Sequence, residues 1–246
     1  MSTYDKGSWR QRNLDCLKAQ PSLWSSDGRH LTCTCVDFLD ESGHLTYELL
    51  RRHLPHPNAF IGVEHNADTA MRVALQNTSR RGKPAAPRFR MIFGDAYDIV
   101  RTLLRDGEPV GYLSCDTLNA VNPSWWHRHA DVLREIVDHA TRALPTFVLV
   151  LNHTISRGGA PGTTSIERLR THARDIVTTF GKWRIRESAL VGQATEIPTV
   201  SKGEHRLVGG FEIYCSADHV LRMATVRLVF SRAKLGADVY LPRAGT

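Results

Sequence analysis

The sequence predicts an α/β protein with a doubly wound, mostly parallel sheet of seven strands and a C-terminal antiparallel hairpin. Strand-like segments alternate with helix-like segments between residues 31 and 180, which favours parallel strands joined by helices. Residues 147–151, FVLVL, are continuously apolar, as expected of a strand that is covered on both faces. The last two strand-like segments, 209–217 and 222–232, follow one another across a short turn, which indicates a hairpin.

The chain is expected to begin with a helical N-terminal extension, residues 1–30, followed by one domain, residues 31–246. In the extension, apolar residues punctuate polar ones until Pro21 breaks the run. The predicted elements that follow are strand 31–39, helix 45–54, strand 59–65, helix 67–77, strand 88–95, helix 96–105, strand 107–116, helix 123–144, strand 145–153 and helix 166–180. Residues 182–190 also have a strand-like pattern.

Local signals place the ends of these elements. Pro55 and Pro57 end the first helix of the domain, because proline cannot donate the helical hydrogen bond. Asn66 is a favourable N-cap for the next helix. Pro123 suits the first turn of the long helix, where a missing N–H costs nothing. Apolar residues recur at helical spacing in 96–105, which predicts an amphipathic helix.

The charge of the chain is basic. The formal net charge is +7 and the pI is about 9.4, which favours polyanionic partners, DNA or RNA above all. Basic clusters occur at 80–83, 88–90, 168–170 and 182–186. They form no long run, so a solvated basic surface is an equal alternative.

The length of the chain, its apolar runs and its cysteines limit the classes of protein to which it can belong. A chain of 246 residues suggests one large domain or one domain with an appendage. The sequence contains no run of eighteen apolar residues, so no membrane-spanning helix is predicted. The N-terminus lacks the apolar stretch of a secretory signal. Five cysteines include no CxxC pair, so we expect buried thiols in a reducing, cytoplasmic setting and no metal site. The oligomeric state is left open.

An acidic residue closes each of the first four predicted strands. These residues are Asp37, Glu64, Asp95 and Asp116. In an open parallel sheet, ligands bind at the carboxyl ends of the strands, near the point where the strand order reverses. The four carboxylates are therefore the first candidates for a ligand site.

Carboxylates at these positions suit a nucleoside. One carboxylate can accept hydrogen bonds from both hydroxyls of a ribose, and an acid that ends the second strand is the usual ribose partner in such folds. Glu64 follows Asp37 by 27 positions, near the spacing of about 20 for a ribose-binding acid. An acid after the third strand can accept from an adenine amino group.

The order and content of these motifs resemble a class I S-adenosylmethionine-dependent methyltransferase with a Rossmann-like fold. CVDFLDESGHLT (35–46) is similar to the first motif of that family, IGVEHN (61–66) to the second, FGDAYD (93–98) to the third and YLSCDTLN (112–119) to the fourth. The resemblance covers roughly residues 31–153, and the terminal hairpin suits the last two strands of the family.

The resemblance implies a role for each matching position. It places Asp37 and Gly43 at the methionine part of S-adenosylmethionine, Glu64 at the ribose, and Asp95 with Ala96 at the adenine. It also implies that Asp116 and Asn119 are catalytic and face the methyl acceptor. The residues that carry these roles in this chain are Asp37, Gly43, Glu64, Asp95, Ala96, Asp116 and Asn119.

Two departures from the family pattern stand out. Glu41 occupies the position of the first loop glycine, where glycine permits close backbone approach. Asp40 and Glu41 also bring negative charge beside the place of the cofactor carboxylate, which disfavours binding. In addition, the fourth motif reads DTLN, without the prolines of amino-methylating DNA enzymes.

Residues after the fourth and fifth strands are predicted to bind substrate. Trp125 and Trp126 would stack on a base, with His127 and Arg128 beside phosphate. The alternative is a helix start with a tryptophan packed on the sheet.

The end of the fifth strand supplies two more candidates. We expect His153 to line the substrate site and Arg157, in a glycine-rich loop, to contact it. A satisfied strand-end histidine is the alternative. The loop 156–165 matches neither a P-loop nor a dinucleotide fingerprint.

Two functions of different classes follow from these observations. The first is an S-adenosylmethionine-dependent methyltransferase that acts on nucleic acid. The second is a methyltransferase-like domain without catalysis that binds nucleic acid or docks a partner, which the glutamate in the glycine loop favours.

Overall fold

The fold is known from a computed structural model that describes residues 6–38, 44–80, 83–84, 88–120, 123–157, 163–198, 200–201, 204–215 and 221–242. Its helices are α1 (Lys6–Lys18), α2 (His44–Leu50), α3 (Ala67–Thr78), α4 (Ala96–Arg105), α5 (Pro123–Ala143), α6 (Thr163–Thr179) and α7 (Glu187–Leu190). Short 3-10 turns lie at Pro21–Leu23, Pro57–Ala59 and Gly181–Trp183. No described helix is long and apolar enough to cross a membrane.

The strands are β1 (Thr34–Phe38), β2 (Phe60–Glu64), β3 (Ser79–Arg80), β4 (Lys83–Pro84), β5 (Arg90–Phe93), β6 (Val110–Ala120), β7 (Thr146–Arg157), β8 (His205–Val208), β9 (Phe211–Cys215), β10 (Leu221–Ser231) and β11 (Gly236–Val239). Seven of the strands correspond to predicted strands with adjusted ends, and β3, β4, β8 and β11 were not predicted. β3 and β4 form a separate two-stranded ribbon.

The main sheet has the order β5-β2-β1-β6-β7-β10-β9-β8, with β11 paired to β10. The first five strands in this order pair in parallel, and β10 pairs antiparallel with β7, β9 and β11. The predicted fold class, a doubly wound and mostly parallel sheet with a C-terminal hairpin, is confirmed. The described sheet has nine strands rather than the predicted seven, because β8 pairs with β9 and β11 pairs with β10. Strand order reverses between β1 and β6, which makes that point the switch of the sheet.

Helices cover both faces of the sheet. One apolar core joins the sheet to α4, α5 and α6, and the second joins the opposite face to α1, α2 and α3. Residues 146–155 of β7 are buried, and they alternate between the two cores: Leu149 and Leu151 belong to the first, and Val148 and Val150 to the second. This explains the continuous apolar run of its sequence.

The N-terminal helix is part of the packed structure. Trp9, Leu14 and Leu17 of α1 are buried in the second core, and the indole N–H of Trp9 donates to Thr225 Oγ1 of β10 at 2.9 Å. Arg227 of β10 donates to Asn13 Oδ1 at 2.6 Å. The boundary at residue 30 stays a prediction.

The prediction of a strand at 182–190 is wrong. The chain there forms the 3-10 turn Gly181–Trp183 and the short helix α7. Arg184 between them has a left-handed backbone with φ of 56°, which breaks an extended strand. Trp183, Ile185 and Leu190 face the first core from this segment, so alternating apolar residues here reflect two short turns rather than a strand.

Candidate functional site

Parallel pairing brings the predicted acidic residues to one edge of the sheet. Asp37 of β1 lies opposite Gly62 of β2 on one side and Ser114 of β6 on the other. Glu64 and Asp116 each lie two residues beyond those partners, so their Cα atoms are about 8 Å from that of Asp37, given strand spacing and rise. The side chains of Asp116 and Asn119 lie outside the described part of the chain.

Glu64 presents one carboxylate oxygen to the turn that follows it. Its Oε1 accepts a hydrogen bond from the backbone N–H of Asn66 at 2.8 Å, and Nδ1 of His65 lies 3.3 Å from the same oxygen. The side chain is only 7% exposed. Among the described residues, none donates to Oε2, which therefore keeps its capacity to accept a hydrogen bond.

Asp95 is the N-cap of α4. Its Oδ1 accepts from the backbone N–H groups of Tyr97 and Asp98, both at 3.0 Å, which satisfies two otherwise orphaned donors of the helix. The side chain is exposed and, among the described residues, none donates to its Oδ2. Ala96 is the first residue of α4 and is half-buried.

Phe93, which the motifs did not predict as a site residue, lies beside Glu64 on the neighbouring strand. It is 61% exposed and pairs in register with Glu64, so the two side chains leave the sheet on the same face. Asp95 follows two residues later. An exposed phenylalanine at the ligand edge of a sheet offers a flat apolar surface for a planar ring. The available signal was the aromatic residue directly before Gly94-Asp95 in the third motif.

Asp37 is enclosed rather than open to solvent. It is 1% exposed, and its neighbour Tyr112 has a pKa raised well above its usual value, first by burial and then by the negative charge of Asp37. The residues that follow β1, including Glu41 and Gly43, lie outside the described residues, so their predicted roles stay predictions.

The two predicted substrate-stacking tryptophans are core residues. Trp125 and Trp126 are each 4% exposed, and Trp125 stacks on His129 with ring centroids 4.7 Å apart. This packing favours the alternative, a helix start with a tryptophan packed on the sheet. The next two residues, His127 and Arg128, are exposed on the second turn of α5.

His153 is buried beneath the same aromatic residues. Its ring lies 4.9 Å from that of Trp125 and 4.8 Å from that of His172. Burial, followed by the charge of His129, lowers the pKa of His153 to about 3. The imidazole is therefore neutral at physiological pH and does not carry charge to a substrate. Arg157 ends β7 opposite Leu221, but its side chain lies outside the description.

Comparison with known proteins supports no family assignment. No protein-family model matches the chain, and no curated protein matches its sequence at a significant level. Among solved structures that match is SMU.776, a proposed methyltransferase crystallised in complex with SAH. Identity is 9%, the TM-score is 0.42, and the match covers 87% of this chain and 48% of that chain. This similarity is too distant to support an inference about activity.

Proposed function

We propose that this protein binds S-adenosylmethionine and is a methyltransferase. One observation supports this function above the others: two carboxylates with an oxygen that no described residue bonds flank an exposed aromatic ring at the switch-point edge of the sheet. A ribose diol and an adenine amino group are donors, and the planar face of an adenine ring stacks on aromatic side chains. The pattern therefore complements adenosine.

Five residues of the candidate site have roles in cofactor binding in this proposal. Glu64 accepts from the ribose hydroxyls, Phe93 covers one face of the adenine, and Asp95 accepts from its amino group. Asp37 and Gly43 border the methionine part. The cofactor, when bound, supplies an electrophilic methyl group on a sulfonium.

Residues near the end of β6 are proposed to orient the methyl acceptor. Asp116 lies two residues beyond Ser114, on the other side of the switch point from Glu64. We propose that Asp116 and Asn119 position the acceptor atom, since aligning two reactants removes much of the entropic barrier of a displacement.

Nucleic acid is the proposed substrate class. The net charge of +7 favours a polyanion, and exposed His127 and Arg128 lie just after β6, at the acceptor side of the edge. Four described cysteines, Cys16, Cys33, Cys35 and Cys115, are buried free thiols, which supports a reducing, cytoplasmic setting.

Calorimetry with S-adenosylhomocysteine tests the cofactor site. We expect micromolar binding by the full chain and at least a tenfold loss in Glu64→Gln, which keeps an oxygen for the Asn66 N–H but replaces the open acceptor oxygen with an amide donor. Asp131→Asn is the matched control, because Asp131 is exposed on α5. Absence of binding to the unaltered protein would overturn the proposal.

A second function, a non-catalytic module that binds nucleic acid, is favoured by Glu41 at the loop glycine position. It predicts no binding of S-adenosylhomocysteine. It also predicts DNA or RNA binding whose logarithmic affinity falls linearly with the logarithm of salt concentration. Measuring both ligands on the same protein separates the two functions.

A further inference from the structure

A surface groove lies beside α7 and β11, at the end of the sheet opposite the proposed cofactor site. Its volume is about 540 Å³, which is within the usual range of ligand pockets. β11 pairs with residues 228–231 of β10, and these pair with residues 146–149 at the start of β7. On β7, Asn152 is level with Asp116 and lies about 20 Å from Thr146, given the rise of a strand. The groove is therefore separate from the carboxyl edge of the sheet.

The groove carries a net positive charge. Arg184, Arg186 and Lys234 line it and are exposed to solvent. Among the described residues, none forms an ion pair or a hydrogen bond with the side chain of Arg184 or Arg186. The described lining includes one carboxylate, that of Asp238, whose Oδ2 is 3.4 Å from Nζ of Lys234. Because this ion pair is exposed, it holds Lys234 only weakly, and the two arginines have no competing partner.

Trp183 adds a buried hydrogen-bond donor to the lining. It is 4% exposed, and its ring packs edge-to-face on Phe230 with centroids 5.5 Å apart. Within the part of the chain that the structure describes, its indole N–H has no acceptor, whereas buried polar groups are nearly always paired. A ligand oxygen in the groove would satisfy this donor.

Strained backbone accompanies the cations of the groove. Among the described residues, Arg184 and Leu235 are the two non-glycine residues with positive φ, at 56° and 44°. Leu235 lies between Lys234 and Gly236, which both line the groove. Such conformations cost energy and cluster at functional sites. At Arg184 the left-handed backbone leaves the side chain exposed, although both of its neighbours in the chain are buried in the first core.

The chemistry of the lining suits phosphate. An arginine fork matches two phosphate oxygens, and a lysine acts as a point charge beside them. Arg184 and Arg186 belong to the wall next to α7, and Lys234 belongs to the turn before β11. Cations at exposed positions on two walls can follow a polymer that enters and leaves the groove, which favours a nucleic-acid backbone over an enclosed small molecule.

We infer that this groove binds the phosphate backbone of a nucleic acid and anchors it away from the carboxyl edge of the sheet. The inference deepens the proposed function and rests on its substrate class. It assigns a role to the basic segment 182–186, which the cofactor site does not use. It also supplies a phosphate oxygen as the acceptor for the buried N–H of Trp183.

Binding of a fluorescent single-stranded oligonucleotide at several salt concentrations tests the inference. In the double variant Arg184→Gln with Arg186→Gln we expect the affinity to fall about tenfold or more. The slope of logarithmic affinity against logarithmic salt concentration should decrease by about 1.4, since each lost phosphate contact accounts for about 0.7. The matched control, Arg29→Gln with Arg52→Gln, removes the same charge at exposed positions outside the groove. It should change the affinity by no more than about threefold, because remote charges are screened.

Each result decides one point. Equal losses in the two double variants would overturn the groove as the binding site, because charge alone would then explain the effect. Equal affinities for adenosine monophosphate and for the oligonucleotide would overturn the assignment to a backbone.

The cofactor site is measured separately on the same proteins. Binding of S-adenosylhomocysteine should be unchanged in Arg184→Gln with Arg186→Gln, because the groove lies at the other end of the sheet. Failure of the unaltered protein to bind the oligonucleotide would overturn the inference and the proposed substrate class, but not the cofactor site. Failure to bind S-adenosylhomocysteine would overturn the proposed methyltransferase function, whatever the oligonucleotide result.

Discussion

The indole N–H of Trp126 donates to Nδ1 of His172 at 2.8 Å, across the interface of α5 and α6. Both side chains are buried. Because Nδ1 accepts, the ring is neutral with its proton on Nε2. Burial, and then the charge of His153, lowers the pKa of His172 well below its usual value. The pair therefore joins two helices through a neutral hydrogen bond beneath the proposed acceptor site.

Removing the donor of this bond should destabilise the protein. We expect Trp126→Phe to lower the free energy of unfolding by about 1–3 kcal/mol, because it leaves a buried acceptor unsatisfied. Urea denaturation measures this value. Combined with His172→Phe, which removes the acceptor as well, the loss should be smaller than the sum of the two single losses. Strict additivity would show that the bond contributes nothing.

Acid should destabilise the protein through its buried histidines. The pKa of a histidine in the unfolded chain is about 6.5, whereas burial lowers the pKa of His153 in the folded protein to about 3. The unfolded state therefore binds more protons between these two pH values. The free energy of unfolding therefore falls as pH is lowered from 6.5, by up to about 1.4 kcal/mol per pH unit for each histidine. Urea denaturation from pH 7.5 to 4.5 should show a shallower slope in His172→Gln. The control His56→Gln, at an exposed histidine, should leave the slope of stability against pH unchanged.

The buried ion pair of Glu212 and Arg227 should be costly to break. Both side chains are 1% exposed, with Nη1 and Oε2 2.6 Å apart. We expect Glu212→Ala to lower the free energy of unfolding by about 3–5 kcal/mol, because a buried charge loses its partner. In the exposed pair of Asp131 and Arg134, Asp131→Ala should cost at most about 1 kcal/mol. Equal losses in the two variants would contradict this account.

Gly111 packs closely against Cys33, the residue before β1, so that an added side chain would overlap it. A Cβ there would lie 2.5 Å from Cys33 Sγ and 3.1 Å from Leu144 Cδ1. We expect Gly111→Ala to lower the midpoint of thermal unfolding, with a loss of about 1–3 kcal/mol from overpacking. A Cβ on Gly181 meets no atom within 4 Å, so Gly181→Ala should change the midpoint little. An unchanged midpoint in Gly111→Ala would show that the Cys33 side chain moves aside at no cost in stability.

Two substitutions at Asp95 should separate its two roles. Asp95→Ala removes the helix cap and should cost about 0.5–2 kcal/mol of stability. Asp95→Asn keeps an oxygen for Tyr97 and Asp98, so its stability should stay near that of the unaltered protein. Both should weaken S-adenosylhomocysteine binding, because neither retains two acceptor oxygens. If Asp95→Asn binds as tightly as the unaltered protein, the adenine contact is elsewhere.

Much of the architecture was predictable because its signals are local. The apolar spacing of 96–105 predicted α4 with its observed bounds, and Pro123 marked the start of α5. Alternation of strands and helices implied parallel pairing, which placed the acidic residues at one edge. The segment 182–190 was misread because two short turns with buried Trp183 and Leu190 imitate the period of a strand.

The sequence by itself determined the order of the elements and therefore that Asp37, Glu64 and Asp95 follow neighbouring parallel strands. Only the tertiary structure decided which aromatic residues are covered. Trp126 is buried because α6 packs over it and supplies His172, whereas Phe93 is exposed because β5 is the edge strand of the sheet. The reason is physical: spacing along the chain is a local property, but burial depends on what packs from distant parts of the chain.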